Sequence, residues 1–459
     1  MKPWVLSKRN LLTPVTSRDG SVLIIVMWVA FGLVTLALYF ANSMSLELRA
    51  SDNRAASLET EQAIAGAARY VSNVLASVTT PGALPDPGTY KCEAVPVGDA
   101  TFWILGRQDQ GGPAQPQVAP DAPVFGLVDE AAKLNLNARW VTAKVLALLP
   151  RMTPELAAAI LDWRDSDEDV TQGGAESQTY ARLDPPYRCK NANFESIDEL
   201  RLVSGAYLDV LYGEDANLNG VLDPNENDGD VSAPADNRDG VLDMGLLDYV
   251  TVYSREPATT SNGTPRVDVS RTNNVNRLRA LLDSAGVANS SAIIGKTANS
   301  RSVLEFYFRS DLPADQFAQI EDSLRNPNLT GLINVNTASE AVLACVPGLD
   351  ADKAQSLVAY RQANAGALNA PWHSVAWVKE VLDRPSLTQA GPCLTGKTYQ
   401  FMADVAAVGH HGRGYGRVKF IFDTSEGTPT VRYRQDLTHL GWALGRQTRD
   451  ALLLVKGTP

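Results

Sequence analysis

Asp215, Asn217, Asn219, Asp223 and Glu226 stand at positions 1, 3, 5, 9 and 12 of one twelve-residue stretch, with Gly220 at position 6. Oxygen-bearing side chains at this spacing enclose a hard cation: Val221 would add its backbone carbonyl, Glu226 two oxygens at once, and the glycine the sharp turn. Calcium, held by six or seven oxygens, is the cofactor the pattern predicts. A helix should follow such a loop, yet Pro224 and a turn at 227–229 come at once, so a solvated acidic turn is the alternative.

Two weaker clusters neighbour it. Asp236, Asp239 and Asp243 echo the loop, but Ala235 takes its first slot and Leu246 its last, so Asp236 or Asp248 would have to compensate. A rearranged calcium site and a plain turn both stand open there. Asp165, Asp167, Asp169 and Glu176 keep the 1, 3, 5 and 12 spacing, with Val170 in the glycine slot and Gly173 and Gly174 left to supply the bend. Carboxylates crowded in this way repel one another until a cation arrives, so the expected role is local folding and not catalysis. The chain carries no Gly-x-Ser-x-Gly, no His-Glu-x-x-His and no phosphate-cradling glycine loop, which argues against an exported hydrolase.

What positions these loops begins with residues 21–41, an uncharged apolar run behind a short leader holding Lys2, Lys8, Arg9 and Arg18 and ending at Gly20. At 1.5 Å per residue the run makes a helix of roughly 32 Å, enough to cross a bilayer once. Cations gathered before it predict a cytoplasmic start and an exported bulk. A cleavable secretory signal would have an apolar core of about 7–15 residues, shorter than this run. The helix should continue to about Leu75, because the following residues lack proline and are rich in alanine, leucine, glutamate and arginine.

The remaining chain is long enough, at 459 residues and 44% hydrophobic content, for two to four compact units. A net charge of −11 argues against nucleic acid as a partner. Cys92, Cys189, Cys345 and Cys393, in an exported chain, allow two disulfides in three connectivities, and the absence of a Cys-x-x-Cys pair argues against zinc. Alternating segments at 101–107 and 124–128, and again at 399–408, 416–423 and 430–435, read as antiparallel strands on which the long helix is laid. Between them a unit occurs twice. Leu134-Asn135-Leu136-Asn137 leads to Leu149-Pro150 and Asp162-Trp163-Arg164, and Ile333-Asn334-Val335-Asn336 leads to Val346-Pro347-Gly348 and Ala359-Tyr360-Arg361. Each copy predicts helix, tight hairpin, helix, with the first helix opening at Ala138-Arg139 or Thr337-Ala338. Such units bind DNA backbones through a Gly-x-Gly corner, but Asp350 stands where the second glycine would, and an anion there opposes phosphate.

The leader ending in glycine, the apolar segment after it and Leu46-Glu47-Leu48-Arg49 resemble pilin-like proteins cut by prepilin peptidase. In these, cleavage falls between the residues matching Gly20 and Ser21. Asp129-Glu130-Ala131-Ala132-Lys133, Asp162-Trp163-Arg164-Asp165, Gly174-Ala175-Glu176, Pro185-Pro186-Tyr187 and Glu199-Leu200-Arg201 further resemble the K-class minor pseudopilins of type II secretion. The resemblance implies an α+β, pilin-like fold: a long N-terminal transmembrane helix packed on an antiparallel sheet, interrupted by a large helical insertion with two helix-hairpin-helix (SAM-like) units. It divides the chain into a leader (1–20), membrane helix (21–42), periplasmic continuation (43–78), first sheet part (79–128), insertion with the first repeat and acidic loops (129–330), second repeat (331–397) and terminal strands (398–459). It also implies an inner-membrane subunit at the filament tip. The partners implied are the I and J classes, the filament-initiating complex, prepilin peptidase and inner-membrane lipid. K-class relatives bind calcium in the insertion, which favours the 165–176 cluster, whereas the tandem loops at 215–248 look like an elaboration. Pilins carry glutamate fifth after the cut and this chain has Ile25, a K-class trait suited to a subunit with none above it. A membrane-anchored DNA receptor and a minor pilin of a type IV pilus are the competing functions.

Overall fold

A computed structural model describes residues 19–107, 122–364 and 373–456. Lys2, Lys8, Arg9 and Arg18 lie outside the described residues. Helix α1 (Asp19–Ala76) is continuous, and it is long and apolar enough to cross a bilayer. The chain divides after Ala55 into two units. In the first, each large apolar side chain between Val22 and Phe40 is more than half exposed, from Met27 at 51% to Trp28 at 75%, an apolar surface compatible with a single membrane crossing. Gly20 and Ser21 fall in the first turns of α1.

The second unit opens with the rest of α1. Ala63, Ile64, Ala67, Val71 and Leu75 recur at helical spacing and are buried on one face of a six-stranded antiparallel sheet. The sheet contains β1 (Val95–Val97), β2 (Ala100–Leu105), β3 (Val128–Asp129), β4 (Gln400–Val408), β5 (Tyr415–Asp423) and β6 (Thr430–Asp436). Their order is β1-β2-β4-β5-β6, and β3 pairs with β4 at Phe401 and Met402. Phe401, Ala403, Val405 and Ala407 of β4 and Val418, Phe420 and Phe422 of β5 meet the helix. The period of two sends Met402, Asp404, Ala406, Arg417 and Ile421 to the opposite face. The helix enters the sheet closely at the β4–β5 turn, where a side chain on Gly414 (φ +66°) would lie 2.5 Å from the backbone of Ala56. In the same turn His410 Nδ1 lies 2.7 Å from Glu59 Oε2. The strand expected at 124–128 shrinks to β3, with Phe125 making only an isolated bridge to Leu105. Pro123 has no donor to give, and Gly126 turns away at φ +151°.

Everything between β3 and β4 is an insertion. It holds α2 (Ala143–Leu146), α3 (Pro154–Arg164), α4 (Val275–Ser284), α5 (Ser290–Thr297), α6 (Val303–Ser310), α7 (Ala314–Glu321), α8 (Glu340–Leu343) and α9 (Ala351–Ala363). The two copies of the repeat share one core, and each begins with a short parallel pairing: Leu134–Asn135 with Val250–Thr251, and Ile333–Asn334 with Leu394–Thr395. The first helix of each copy starts later than the sequence suggests, at the caps Thr142 and Ser339. Asn135 and Asn334 instead fold the chain back, each accepting a hydrogen bond from the backbone N–H two residues on, at 2.9 and 3.0 Å. The arginine ending each motif turns inward. Arg164 donates to the carbonyls of Leu136, Ala138 and Val141, and Arg361 donates to those of Val335 (2.9 Å) and Ala338 (3.0 Å).

All four cysteines are free thiols, so neither of the two disulfides that the sequence allows is formed. Cys92 packs beside the sheet core while Cys189, Cys345 and Cys393 lie in the repeat core, and Cys345 Sγ donates to the Ala341 carbonyl at 3.2 Å. Burial pushes the Cys345 and Cys393 thiols up to about 12, so neither is an activated nucleophile.

Candidate metal centre

Helix α3 stops at Arg164 because the chain turns at once into acids. Asp165, Asp167 and Glu176 each offer a carboxylate oxygen, and these three atoms lie within 4.8 Å of one another. Asp169 does not join them: it is exposed, and its N–H donates to Asp167 Oδ1 at 3.0 Å. The bend comes from Gly173 (φ +86°) and from Gly174, where a Cβ would sit 2.1 Å from Asp162 Oδ2. Glu176 is 1% exposed, and no N–H or hydroxyl donates to its oxygens, which have only the weakly donating Cys189 thiol beside them. Burial, with the charges of Asp162, Asp165 and Glu168 added, pushes its carboxyl up to about 7. Arg164, the adjacent cation, is spent on backbone carbonyls, and Lys190 is held by Glu199 at 2.8 Å. A buried carboxylate with only a thiol as donor and no counter-ion is costly, and a hard cation with oxygen preference removes that cost.

Sequence reasoning missed part of this setting. Asp162 is fully buried on α3 and accepts from Thr171 N–H at 3.2 Å, pinning the loop. Asn191 donates to the Asp167 carbonyl at 2.7 Å, and its Oδ1 is buried without a partner. Neither is reachable from a spacing rule, since Asn191 arrives from another loop.

The 215–226 loop is folded into the turn its pattern predicts. Asp215 Oδ1 and Oδ2 accept from the N–H groups of Asn219 (2.9 Å) and Gly220 (2.8 Å). Asn217 Oδ1 accepts from Asn219 N–H (2.9 Å), and Asn219 Oδ1 from Val221 N–H (2.7 Å). Glu226 reaches back to the N–H groups of Ala216 and Asp223, both at 3.0 Å. Asp223 Oδ2 takes the amides of Asn217 (2.7 Å) and Asn219 (3.1 Å). Val221 is buried at 1% exposure. Burial, reinforced by Asp248, pushes the Asp215 carboxyl up to about 6, and burial reinforced by Asp215 pushes Glu226 up to about 8. The oxygens of both acids already accept backbone N–H groups, and among the described residues the acids that come close enough together to share an ion are Asp165, Asp167 and Glu176.

Around 236–243 the same turn recurs, with Asp239 N–H on Asn237 Oδ1 and Val241 N–H on Asp239 Oδ1, both 2.8 Å. Asp236 is occupied by the N–H groups of Asp228 and Gly229 at 2.8 Å. Asp248 stands elsewhere, paired with Arg107 Nε at 3.1 Å. The place that Glu226 takes in the first loop is taken here by Glu214, whose Oε2 accepts from Asp243 N–H at 3.1 Å. Arg151 lies 3.9 Å from Glu214 and 3.8 Å from Asp243, so a guanidinium already serves this loop.

Comparison with known proteins gives two family matches, at residues 127–211 and 333–391, both described as "Type II secretion system (T2SS), protein K". A type II secretion system protein K of Pectobacterium carotovorum subsp. carotovorum is 41% identical over 56 residues, which is 12% of this chain and 17% of that protein's length. A solved structure, the GspK-GspI-GspJ complex of the type 2 secretion system of enterotoxigenic Escherichia coli, is similar at a TM-score of 0.40 and 12% identity, covering 83% of this chain and 96% of the solved one. The 165–176 cluster lies inside the first matched segment, and the 215–226 loop lies between the two.

Proposed function

We propose that this chain, which belongs to the type II secretion system protein K family, is a minor pseudopilin that helps initiate and cap the secretion pseudopilus. The reading is carried by the placement of the two family matches, which fall in order on the two repeats inserted between β3 and β4 of a sheet backed by α1. The role is one of assembly and not of catalysis. The apolar half of α1 sits in the inner membrane with its start in the cytoplasm, and prepilin peptidase cuts after Gly20 so that Ser21 begins the mature chain. The exposed side chains from Val22 to Phe40 then pack against the helices of I- and J-class pseudopilins, where van der Waals contact and not water exclusion drives association. Ile25 leaves no buried carboxylate in lipid, as suits a subunit with none above it.

The two repeats act as helix-hairpin-helix packing units. At the second corner Asp350 caps α9 through Lys353 N–H and binds Lys353 Nζ, both at 2.9 Å, which puts an anion where a phosphate would lie. Asp165, Asp167 and Glu176 hold one calcium ion, and the 215–226 loop holds another through Asp215, Asn217, Asn219, the Val221 carbonyl, Asp223 and Glu226. When bound, the ion supplies the positive charge that lets these acids be buried while ionised. The residues do the rest by fixing the loop backbones.

The experiment is N-terminal sequencing of the membrane-inserted chain from cells with and without prepilin peptidase. A mature start at Ser21 that needs the peptidase is expected. A retained Met1, or a cut beyond Ala41, contradicts the reading.

A further inference from the structure

One hairpin of the insertion carries at its tip an amide placed for ring closure. Thr259 bridges Pro265, Thr260 N–H donates to the Thr264 carbonyl at 2.8 Å, and Arg266 N–H donates to the Ala258 carbonyl at 2.8 Å. Asn262 and Gly263 form the tip, and both are exposed. Asn262 Oδ1 accepts from the Thr260 hydroxyl at 2.5 Å and from Thr264 N–H at 3.2 Å; the Thr264 carbonyl, 3.1 Å from that hydroxyl, is its more distant acceptor. The backbone donor fixes which end of the amide is oxygen, because an N–H cannot donate to an NH2 group. The Asn262 amide nitrogen is left without a partner among the described residues. Gly263 sits at φ +80°, its N–H held by the Thr260 carbonyl at 2.9 Å, and a Cβ there would meet nothing within 4 Å. Asn219-Gly220 is the other such dipeptide in the sequence, and its surroundings are the reverse. Asn219 is 2% exposed, its amide donates to Asp223 Oδ2 at 3.1 Å, and Gly220 N–H is committed to Asp215 Oδ2 at 2.8 Å.

We propose that Asn262 is a site of spontaneous deamidation, with the Thr260 hydroxyl and Thr264 N–H as its oxyanion donors. The Gly263 nitrogen, released from the Thr260 carbonyl, gives its proton to water and attacks Asn262 Cγ. A C–N bond forms, and the negative charge that develops on Oδ1 falls on two donors already in place. The tetrahedral centre then collapses: the Cγ–Nδ2 bond breaks, and Nδ2 takes a proton from water and leaves as ammonia. Water opens the remaining five-membered imide at either carbonyl, giving aspartate or its isomer linked through the side chain. Nothing is oxidised or reduced. Glycine permits the closure because, without a Cβ, its nitrogen is unhindered and its backbone is free to turn once one exposed hydrogen bond is released. Either product sets a permanent anion beside a cavity of about 240 Å³ that Thr260, Ser261 and Gly263 line together with Arg266. The isomer also adds a methylene to the main chain at the tip, which breaks the pairing of Thr260 with Thr264.

The test uses the full-length chain in detergent, held in mildly alkaline buffer, with samples digested and mapped by mass spectrometry for the gain that replaces an amide by an acid. Asn262 should convert at least about tenfold faster than Asn219 in the folded chain, and the two should convert at similar rates in concentrated urea, where their surroundings are lost. Thr260→Val should slow conversion at Asn262 about tenfold in the folded chain and leave the rate in urea unchanged, an effect below that of a buried oxyanion donor because the tip is wet. An Asn262 that keeps its amide when folded and loses it in urea is protected by the hairpin, which overturns the proposal. An Asn219 that converts as fast in the folded chain overturns it equally, and a rate that Thr260→Val leaves unmoved overturns the role of the donors.

Discussion

Removing calcium from the full-length chain in detergent should lower its melting temperature by about 10 °C, and the loss should shrink as the pH falls from 8 to 6. The size follows from linkage: an ion a thousandfold above its dissociation constant adds about 4 kcal/mol, and about 2–4 °C accompany each kcal/mol in domains of some 150–250 residues. The sign follows from Asp215, Glu176 and Glu226, whose carboxyls stand at about 6, 7 and 8, all above their unfolded values. Between those unfolded values and about pH 8 the ion-free folded state binds more protons than the unfolded one, so its stability falls as pH rises. On the proposed calcium reading the ion takes the ionised oxygens and competes with the protons, so its contribution should be greatest at pH 8. Differential scanning with calcium and with chelator at both pH values reads this directly. Glu176→Gln and Glu226→Gln should each raise the ion-free melting point and reduce the calcium increment. An increment that is absent, or that grows on acidification, contradicts the assignment.

Replacing Arg361 with methionine should destabilise the repeat core by about 3–5 kcal/mol. The side chain is 2% exposed, and burial holds its guanidinium down at about 10, yet no carboxylate pairs with it among the described residues. Its charge is met by the Val335 and Ala338 carbonyls, which lie between the start of the second repeat and the cap of α8. Methionine fills the space but leaves two buried carbonyls unmet, and charged hydrogen bonds of this kind contribute about 1.5–3 kcal/mol each. Urea unfolding followed by tryptophan fluorescence measures it, since Trp377 stacks on Tyr360 one residue away at 5.7 Å. A loss under about 1 kcal/mol would mean that the carbonyls find other donors and that the repeat is not organised around this arginine.

The parts of this architecture legible in the sequence are those set by neighbours along the chain. Helix α1 is announced by an uncharged run followed by a proline-free, alanine-rich stretch, and β4, β5 and β6 by a looser alternation between glycine-rich turns, all nine residues of β4 being buried. The turn of the 215–226 loop follows from Asx residues and a glycine at fixed offsets. The repeats were visible because each needs the same Asn-x-Asn fold-back and the same inward arginine. Their helix starts were misplaced because Asn135 and Asn334 compete for the backbone, and a propensity argument does not see that competition.

What could not be read was set across long separations. Arg107 and Arg417 meet carbonyls more than a hundred residues away, and Glu214 serves a loop whose own last slot holds Leu246. The same limit explains the cysteines. Export and an even number suggested pairing, but pairing needs Cβ atoms brought together, and the fold places the four thiols as separate packing groups.

The central claim, an assembly role in type II export, is tested most directly by deleting the chain from the bacterium that carries it and measuring type II substrates outside the cell. The account predicts that they fall to background, accumulate in the periplasm, and return to the medium when the wild-type chain is restored. Undiminished export from the deletion strain would contradict it.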